Sequence, residues 1–152
     1  MVNYILSYKE VEDAAKQVAD LIEKSGKSVK RLVAISRGGL IPTGLLAQYL
    51  NIREIHSLAL YSYLSDGTQG EVTVVVRPDV PDQEDTLFVD DLVEGGKTAE
   101  YLKKMYPNSS FISLFSKINA DYFVVKPVFL SKNTAVVFPW ELKTNKNRAR
   151  DR

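Results

Sequence analysis

The sequence predicts a single α/β domain whose core is a mostly parallel sheet flanked by helices. Three observations predict it. The chain has 152 residues, the length of one domain. Short aliphatic and β-branched runs alternate with segments of helical periodicity, the pattern of parallel strands joined by crossover helices. Two of the apolar runs break at glycine pairs, Gly38-Gly39 and Gly95-Gly96, where an open α/β sheet places its ligands.

The elements follow in order. Ser7-Tyr8-Lys9-Glu10 has the spacing of a capping box. Val11, Ala14, Ala15, Val18, Ala19 and Ile22 recur at helical spacing, and Gly26 is a C-terminal stop, so a helix is expected over Tyr8–Ser25. Arg31–Ser36 reads as a short buried strand. Arg37-Gly38-Gly39 breaks it, and Leu40–Leu50 reads as a helix with Pro42 tolerated in its first turn. Residues 54–60 are the next strand candidate, with His56 a polar strand residue. Residues 61–70 contain Ser, Asp, Gly and Thr and read as a mobile loop. Residues 71–76 are strand-like, and Pro78, Asp79, Pro81 and Asp82 then force a turn. A strand is expected over 86–90, a loop over 91–96, a helix over 97–106 and a strand over 110–115. Two further extended runs are expected at 121–125 and 134–138, and Trp140 reads as an aromatic of a minor core.

Composition excludes several function classes. Hydrophobic residues make up 45% and charged residues 26%, as in ordinary globular proteins. Lys+Arg total 20 against Asp+Glu 19, a net charge of +1. That balance provides no global basic field for nucleic acid. Without cysteine there is no disulfide, thiolate nucleophile or thiolate metal site. One histidine, His56, leaves little room for a histidine metal site or triad. No apolar stretch approaches the ~20 residues of a membrane span, and no signal peptide is visible, so a cytoplasmic protein is expected. The basic segment 143–152 reads as a solvated tail.

The main chemical signal is Asp90-Asp91-Leu92-Val93-Glu94-Gly95-Gly96-Lys97-Thr98. An apolar strand delivers two carboxylates to the sheet edge. A glycine pair then frees backbone N–H groups just before a helix, an arrangement suited to phosphate. Carboxylates beside a phosphate cradle must face something else, and sugar hydroxyls or Mg²⁺ serve. The combination points to a ribose phosphate. Gly96-Lys97-Thr98 looks like the end of a Walker A loop, but the first glycine of that loop would fall at Asp91. Ser36-Arg37-Gly38-Gly39 is a second anion-suited loop, in which Arg37 can chelate a pyrophosphate. Lys117 follows the strand at 110–115 and sits at the same kind of edge.

Together these segments resemble the type I phosphoribosyltransferases, in particular the short xanthine-guanine and hypoxanthine phosphoribosyltransferases. The likeness runs through Ser36-Arg37-Gly38-Gly39-Leu40-Ile41-Pro42, Ser62-Tyr63, residues 87–98, Met105-Tyr106-Pro107, Phe115-Ser116-Lys117, Asp121-Tyr122 and Phe138-Pro139-Trp140-Glu141. It implies a phosphoribosyltransferase-like, Rossmann-like core with a small hood at about 117–141. It implies transfer of 5-phosphoribose from phosphoribosyl pyrophosphate to a 6-oxopurine, giving a nucleoside 5′-monophosphate and pyrophosphate. By this resemblance Asp90 and Asp91 hold the ribose hydroxyls and Mg²⁺. Gly95, Gly96, Lys97 and Thr98 cradle the 5′-phosphate, and Ser36, Arg37 and Gly38 hold the pyrophosphate. Glu94 falls where an acid faces N7 of the base, and Lys117 where a lysine donates to the 6-oxygen. Val136 offers its carbonyl to an exocyclic amine, and Ser62 and Tyr63 belong to the closing lid loop. A homodimer or homotetramer is implied, with no nucleic-acid or integral membrane partner.

Four positions depart from that pattern. Glu94 replaces the usual aspartate, Gly95 the usual Thr or Ser, and Lys97 a residue that is commonly small. Ala135 stands where an aromatic usually stacks on the purine, a contact worth about 1–3 kcal/mol. These departures keep two other expectations open: a nucleotide-binding regulatory module without catalysis, and a transferase for another base.

Overall fold

In the computed structural model, which describes residues 2–63 and 69–141, the elements run β1 (Val2–Ile5), α1 (Tyr8–Ser25), β2 (Arg31–Ser36), α2 (Leu40–Leu50), β3 (Glu54–Tyr63) and β4 (Gln69–Val76). They continue with β5 (Thr86–Val93), α3 (Lys97–Met105), β6 (Ser110–Ser116), β7 (Val128–Phe129) and β8 (Thr134–Val137). Helix α1 has the predicted ends. The Ser7 hydroxyl accepts from the Glu10 N–H, the Glu10 carboxylate accepts from the Ser7 N–H, and Gly26 closes the helix at φ 73°. The Glu10 carboxylate also accepts from the Tyr4 hydroxyl at 2.6 Å, which ties β1 to α1. That bond, followed by the Ser7 N–H, holds the Glu10 carboxyl below its ordinary range.

Six strands form one sheet in the order β4-β3-β2-β5-β6-β7, and β1 pairs with β8 in a second, two-stranded sheet. Every pairing in the large sheet is parallel except β3 with β4. The carboxyl ends of β2, β3, β5, β6 and β7 therefore share one edge. Period-two alternation divides the core. Leu87 and Val89 enter the cluster with Val11, Val18 and Leu46 of α1 and α2, whereas Phe88 enters the cluster with Ala99 and Leu102 of α3. The expected α/β architecture with a mostly parallel sheet is the one observed.

Several expected boundaries are corrected. Residues 61–63 and 69–70, read as loop, extend β3 and β4 into an antiparallel hairpin. The remainder of that expected loop, 64–68, lies outside the described residues, as does the basic tail from 142 onward. Strand β5 does not stop at Asp90. It continues because Leu92 and Val93 pair with Phe115 and Ser116. The run at 121–125 is not a strand. It turns and makes one bridge, Phe111 to Phe123. Strands β1 and β7, four and two residues long, are too short to carry a periodic signal. Trp140 stacks on the buried Phe138 with ring centroids 4.6 Å apart. No helix among the described residues is long and apolar enough to cross a membrane.

The start of α2 rests on the sheet with no room for a side chain at Gly39. A Cβ there would lie 2.3 Å from the Val89 carbonyl oxygen and 2.8 Å from that of Ile35. Backbone cannot step aside as a side chain can. Gly39→Ala is expected to cost about 3 kcal/mol, and Ser7→Ala about 1 kcal/mol through the lost cap. Urea denaturation of both variants checks the order.

Candidate functional site

The shared edge of the parallel strands collects most of the residues singled out in the sequence. Strand β2 delivers Ser36 and Arg37, whose connecting peptide is cis. Gly38 follows, and its open side faces the Asp91 carboxylate. A Cβ at Gly38 would lie 2.4 Å from Asp91 Oδ2. Absence of that carbon lets the β2 loop close onto β5, so the arginine-glycine loop and the acid pair form one site. The two expected anion loops do lie on adjacent strands.

Alternation on β5 places Asp90 on the face of Phe88 and Asp91 on the face of Val89. Asp91 is buried. Its Oδ1 accepts from the Leu92 N–H at 2.7 Å, and Asp90 Oδ1 accepts from the Asp91 N–H at 2.9 Å. These bonds fix both carboxylates at the strand end. Among the described residues no three His, Cys, Asp or Glu side chains gather as a metal cage. Two hard oxygen donors at an open edge suit Mg²⁺, which keeps waters and completes its shell with substrate oxygens. Asp90 and Asp91 are donors of this kind, carried on opposite faces of the β5 end.

After Val93 the chain turns through Glu94, Gly95 and Gly96 into α3. Gly96 takes φ 86°, a left-handed conformation that favours glycine. Gly95 is exposed, and a Cβ there would meet nothing within 4 Å. The first N–H groups of α3 have no intrahelical partner, so the exposed side of this turn can take an anion. Thr98 lies in the first turn of α3. Lys97 bends away to donate to the Gly70 carbonyl at 2.6 Å, linking the turn to the β3–β4 hairpin. Ser62 is buried near the end of β3, and the backbone of Tyr63 pairs with Gln69.

Lys117 is held at the end of β6 by its N–H, which donates to the Val93 carbonyl at 2.9 Å. Its ammonium lies 2.9 Å from Glu94 Oε1, with the lysine side chain 10% exposed and the glutamate 56%. The structure thus brings Glu94 and Lys117 together, the cation fixed and the carboxylate at the surface. Ala135 and Val136 sit on the small sheet, where β8 pairs with β1, and Val136 packs in the cluster that includes Phe115. Leu6 N–H donates to the Val137 carbonyl at 2.9 Å. Alternation along a parallel ladder therefore turns the Val136 carbonyl to the other edge of β8.

One residue of the site was not assigned a role from the sequence. Tyr122 packs beneath the glycine turn, and its hydroxyl would lie 2.8 Å from a Cβ at Gly96. Burial, and secondarily the Glu100 carboxylate, push its phenol above the ordinary range, so it stays protonated. Asp121-Tyr122 belongs to the sequence resemblance, but only the fold shows what the ring lies under.

No protein-family model matches the chain. Solved structures share its fold. A hypothetical protein from Neisseria gonorrhoeae with bound ppGpp is similar at TM-score 0.70 and 24% identity, over 99% of this chain and 96% of that one. A purine phosphoribosyltransferase from Pyrococcus horikoshii is similar at TM-score 0.71 and 20% identity, over 93% and 96%. The xanthine-guanine-hypoxanthine phosphoribosyltransferase of Helicobacter pylori is similar at TM-score 0.71 and 22% identity, over 92% and 94%. The phosphoribosyltransferase-like fold expected from the sequence is the fold of this chain.

The two kinds of glycine should respond differently to a methyl group. Gly38→Ala must displace the buried Asp91 carboxylate and is expected to cost about 2 kcal/mol. Gly95→Ala meets open space and should stay within about 0.5 kcal/mol of the parent protein. Paired chemical denaturation curves measure both.

Proposed function

We propose that the chain is a purine phosphoribosyltransferase that joins a 6-oxopurine to the 5-phosphoribosyl group of phosphoribosyl pyrophosphate. The observation that carries this proposal is the meeting of Glu94 and Lys117 at 2.9 Å beside the glycine turn. A carboxylate and an ammonium side by side match the N7 proton and the 6-oxygen on one edge of a purine. An ion pair with one partner largely exposed is worth about 1 kcal/mol or less. An entering base can therefore separate the pair at small cost, with Glu94 moving and Lys117 staying.

In this proposal Gly95, Gly96, Lys97 and Thr98 bind the 5′-phosphate, with Lys97 also holding the hairpin through Gly70. Ser36, Arg37 and Gly38 bind the pyrophosphate. Asp90 and Asp91 orient the ribose hydroxyls and would hold Mg²⁺, which neutralises pyrophosphate charge when bound. The C1′–oxygen bond breaks and its electron pair leaves with pyrophosphate. The purine N9 bonds to C1′, and the N7 proton passes to the Glu94 carboxylate. Charge at C1′ resembles that in glycoside cleavage, so water must be kept out, the role proposed for the hairpin with Ser62 and Tyr63. The outward Val136 carbonyl supports a contact to an exocyclic amine. Ala135 provides no stacking surface, so affinity for the base rests on Lys117, Glu94 and that carbonyl. Residues 117–141 would form the hood together with β1. A cytoplasmic homodimer or homotetramer completes the proposal. The exposed apolar side chains of Leu40, Ile55 and Val76 are compatible with self-association.

A second reading is a nucleotide-binding regulatory module. Gly95, Ala135 and the likeness to the Neisseria protein with bound ppGpp favour it.

Pyrophosphate release with Mg²⁺ and phosphoribosyl pyrophosphate, tested separately with guanine, xanthine, hypoxanthine, adenine and uracil, distinguishes the two. Release with a 6-oxopurine is expected. Nucleotide binding with no release from any base would establish the second reading instead. Glu94→Gln should lower kcat by about a hundredfold or more while leaving phosphoribosyl pyrophosphate affinity unchanged.

A further inference from the structure

Tyr122 Oη is a buried side-chain oxygen with no hydrogen-bond partner among the described residues. Buried phenols ordinarily find one. The ring alone does not explain the residue. It packs edge-on against Phe111 and Phe123, with centroids 5.7 and 4.9 Å away, and phenylalanine would make the same contacts without an orphaned hydroxyl.

The hydroxyl lies against Gly96, where Ile118 Cδ1 also approaches. The Glu100 carboxylate acts on the phenol through space without a hydrogen bond to it, and the turn itself offers the peptide units on either side of Gly96. The Gly96 carbonyl already accepts from the Glu100 N–H at 2.9 Å. That leaves the peptide between Gly95 and Gly96. In a planar trans peptide the N–H and C=O point in opposite directions. When the Gly96 N–H turns outward to a phosphate, the Gly95 carbonyl must turn inward, toward the side on which Tyr122 sits.

We propose that Tyr122 is a positioning residue for the glycine turn, whose hydroxyl donates to the Gly95 carbonyl when a sugar 5′-phosphate occupies the opposite side. The inference rests on the phosphate-binding role proposed above for that turn. The unpaired hydroxyl of the free protein thereby becomes a driving force for binding. Ligand binding supplies the partner that the free state lacks, so part of the affinity comes from a residue that never touches the phosphate.

Calorimetric titration of the parent protein and Tyr122→Phe with ribose 5-phosphate, beside thermal unfolding of each free protein, tests this. The variant should bind about tenfold more weakly, while its unliganded melting temperature is unchanged or raised. Equal affinity in the two proteins would overturn the inference and leave the phosphate site standing. Failure of the parent protein itself to bind ribose 5-phosphate would overturn the phosphate site and this inference with it. If the variant does not fold, tyrosine labelled at ¹³Cζ in the parent protein replaces it. The Tyr122 resonance should shift on adding ribose 5-phosphate, and an unmoved resonance with ligand bound would overturn the inference.

Discussion

The close approach of the Gly38-Gly39 turn to β5 is the contact on which the rest of the site depends. Neither position has space for a Cβ: one faces the Asp91 carboxylate and the other the Val89 carbonyl. Because the turn can sit there, α2 starts directly over the sheet, and Thr43 N–H closes its first turn on the Gly39 carbonyl at 2.9 Å. The arginine loop and the acid pair then share one edge. A parallel sheet supplies the other half of the constraint, since its strands all end on the same side. Glu94 and Lys117, 23 positions apart in sequence, meet only because β5 and β6 are parallel neighbours.

In a chain of net charge +1, the charges of the site are matched locally. Each acid of the site has a partner. Asp90 and Asp91 lie on opposite faces of β5 with backbone N–H donors, and Glu94 is matched by Lys117. Lys97 is drawn from the glycine turn toward the hairpin. Beneath that turn Tyr122 adds a protonated hydroxyl, and Ile118 an apolar contact.

Much of this was legible in the sequence where the signal is local. The ends of α1 follow from Ser7, Glu10 and Gly26, which satisfy the helix termini with their own chain neighbours. Arg31–Ser36 and Leu40–Leu50 were legible because a glycine break separates a short aliphatic run from a longer one. The layout of the acid-glycine segment was legible for the same reason: a glycine break stands just ahead of a helix start. The run at 121–125 misled because Phe123, Val124 and Val125 have strand-forming side chains, yet only Phe123 finds a bridge partner, at Phe111. Strand β5 ran past its acids because β6 offered backbone partners to Leu92 and Val93, and a polar pair does not end a ladder that still has a neighbour.

By itself, then, the sequence determined the fold class and the bounds of α1, β2 and α2. Each depends on caps, breaks and periodicities within a few residues. Only the tertiary structure decided that β1 pairs with β8, that Gly38 must admit Asp91, that Lys97 reaches Gly70, and that Tyr122 lies under Gly96. Those outcomes are set by strand order and by which atoms are left no room. They depend on contacts between segments distant in sequence, and local propensity carries no record of such distances.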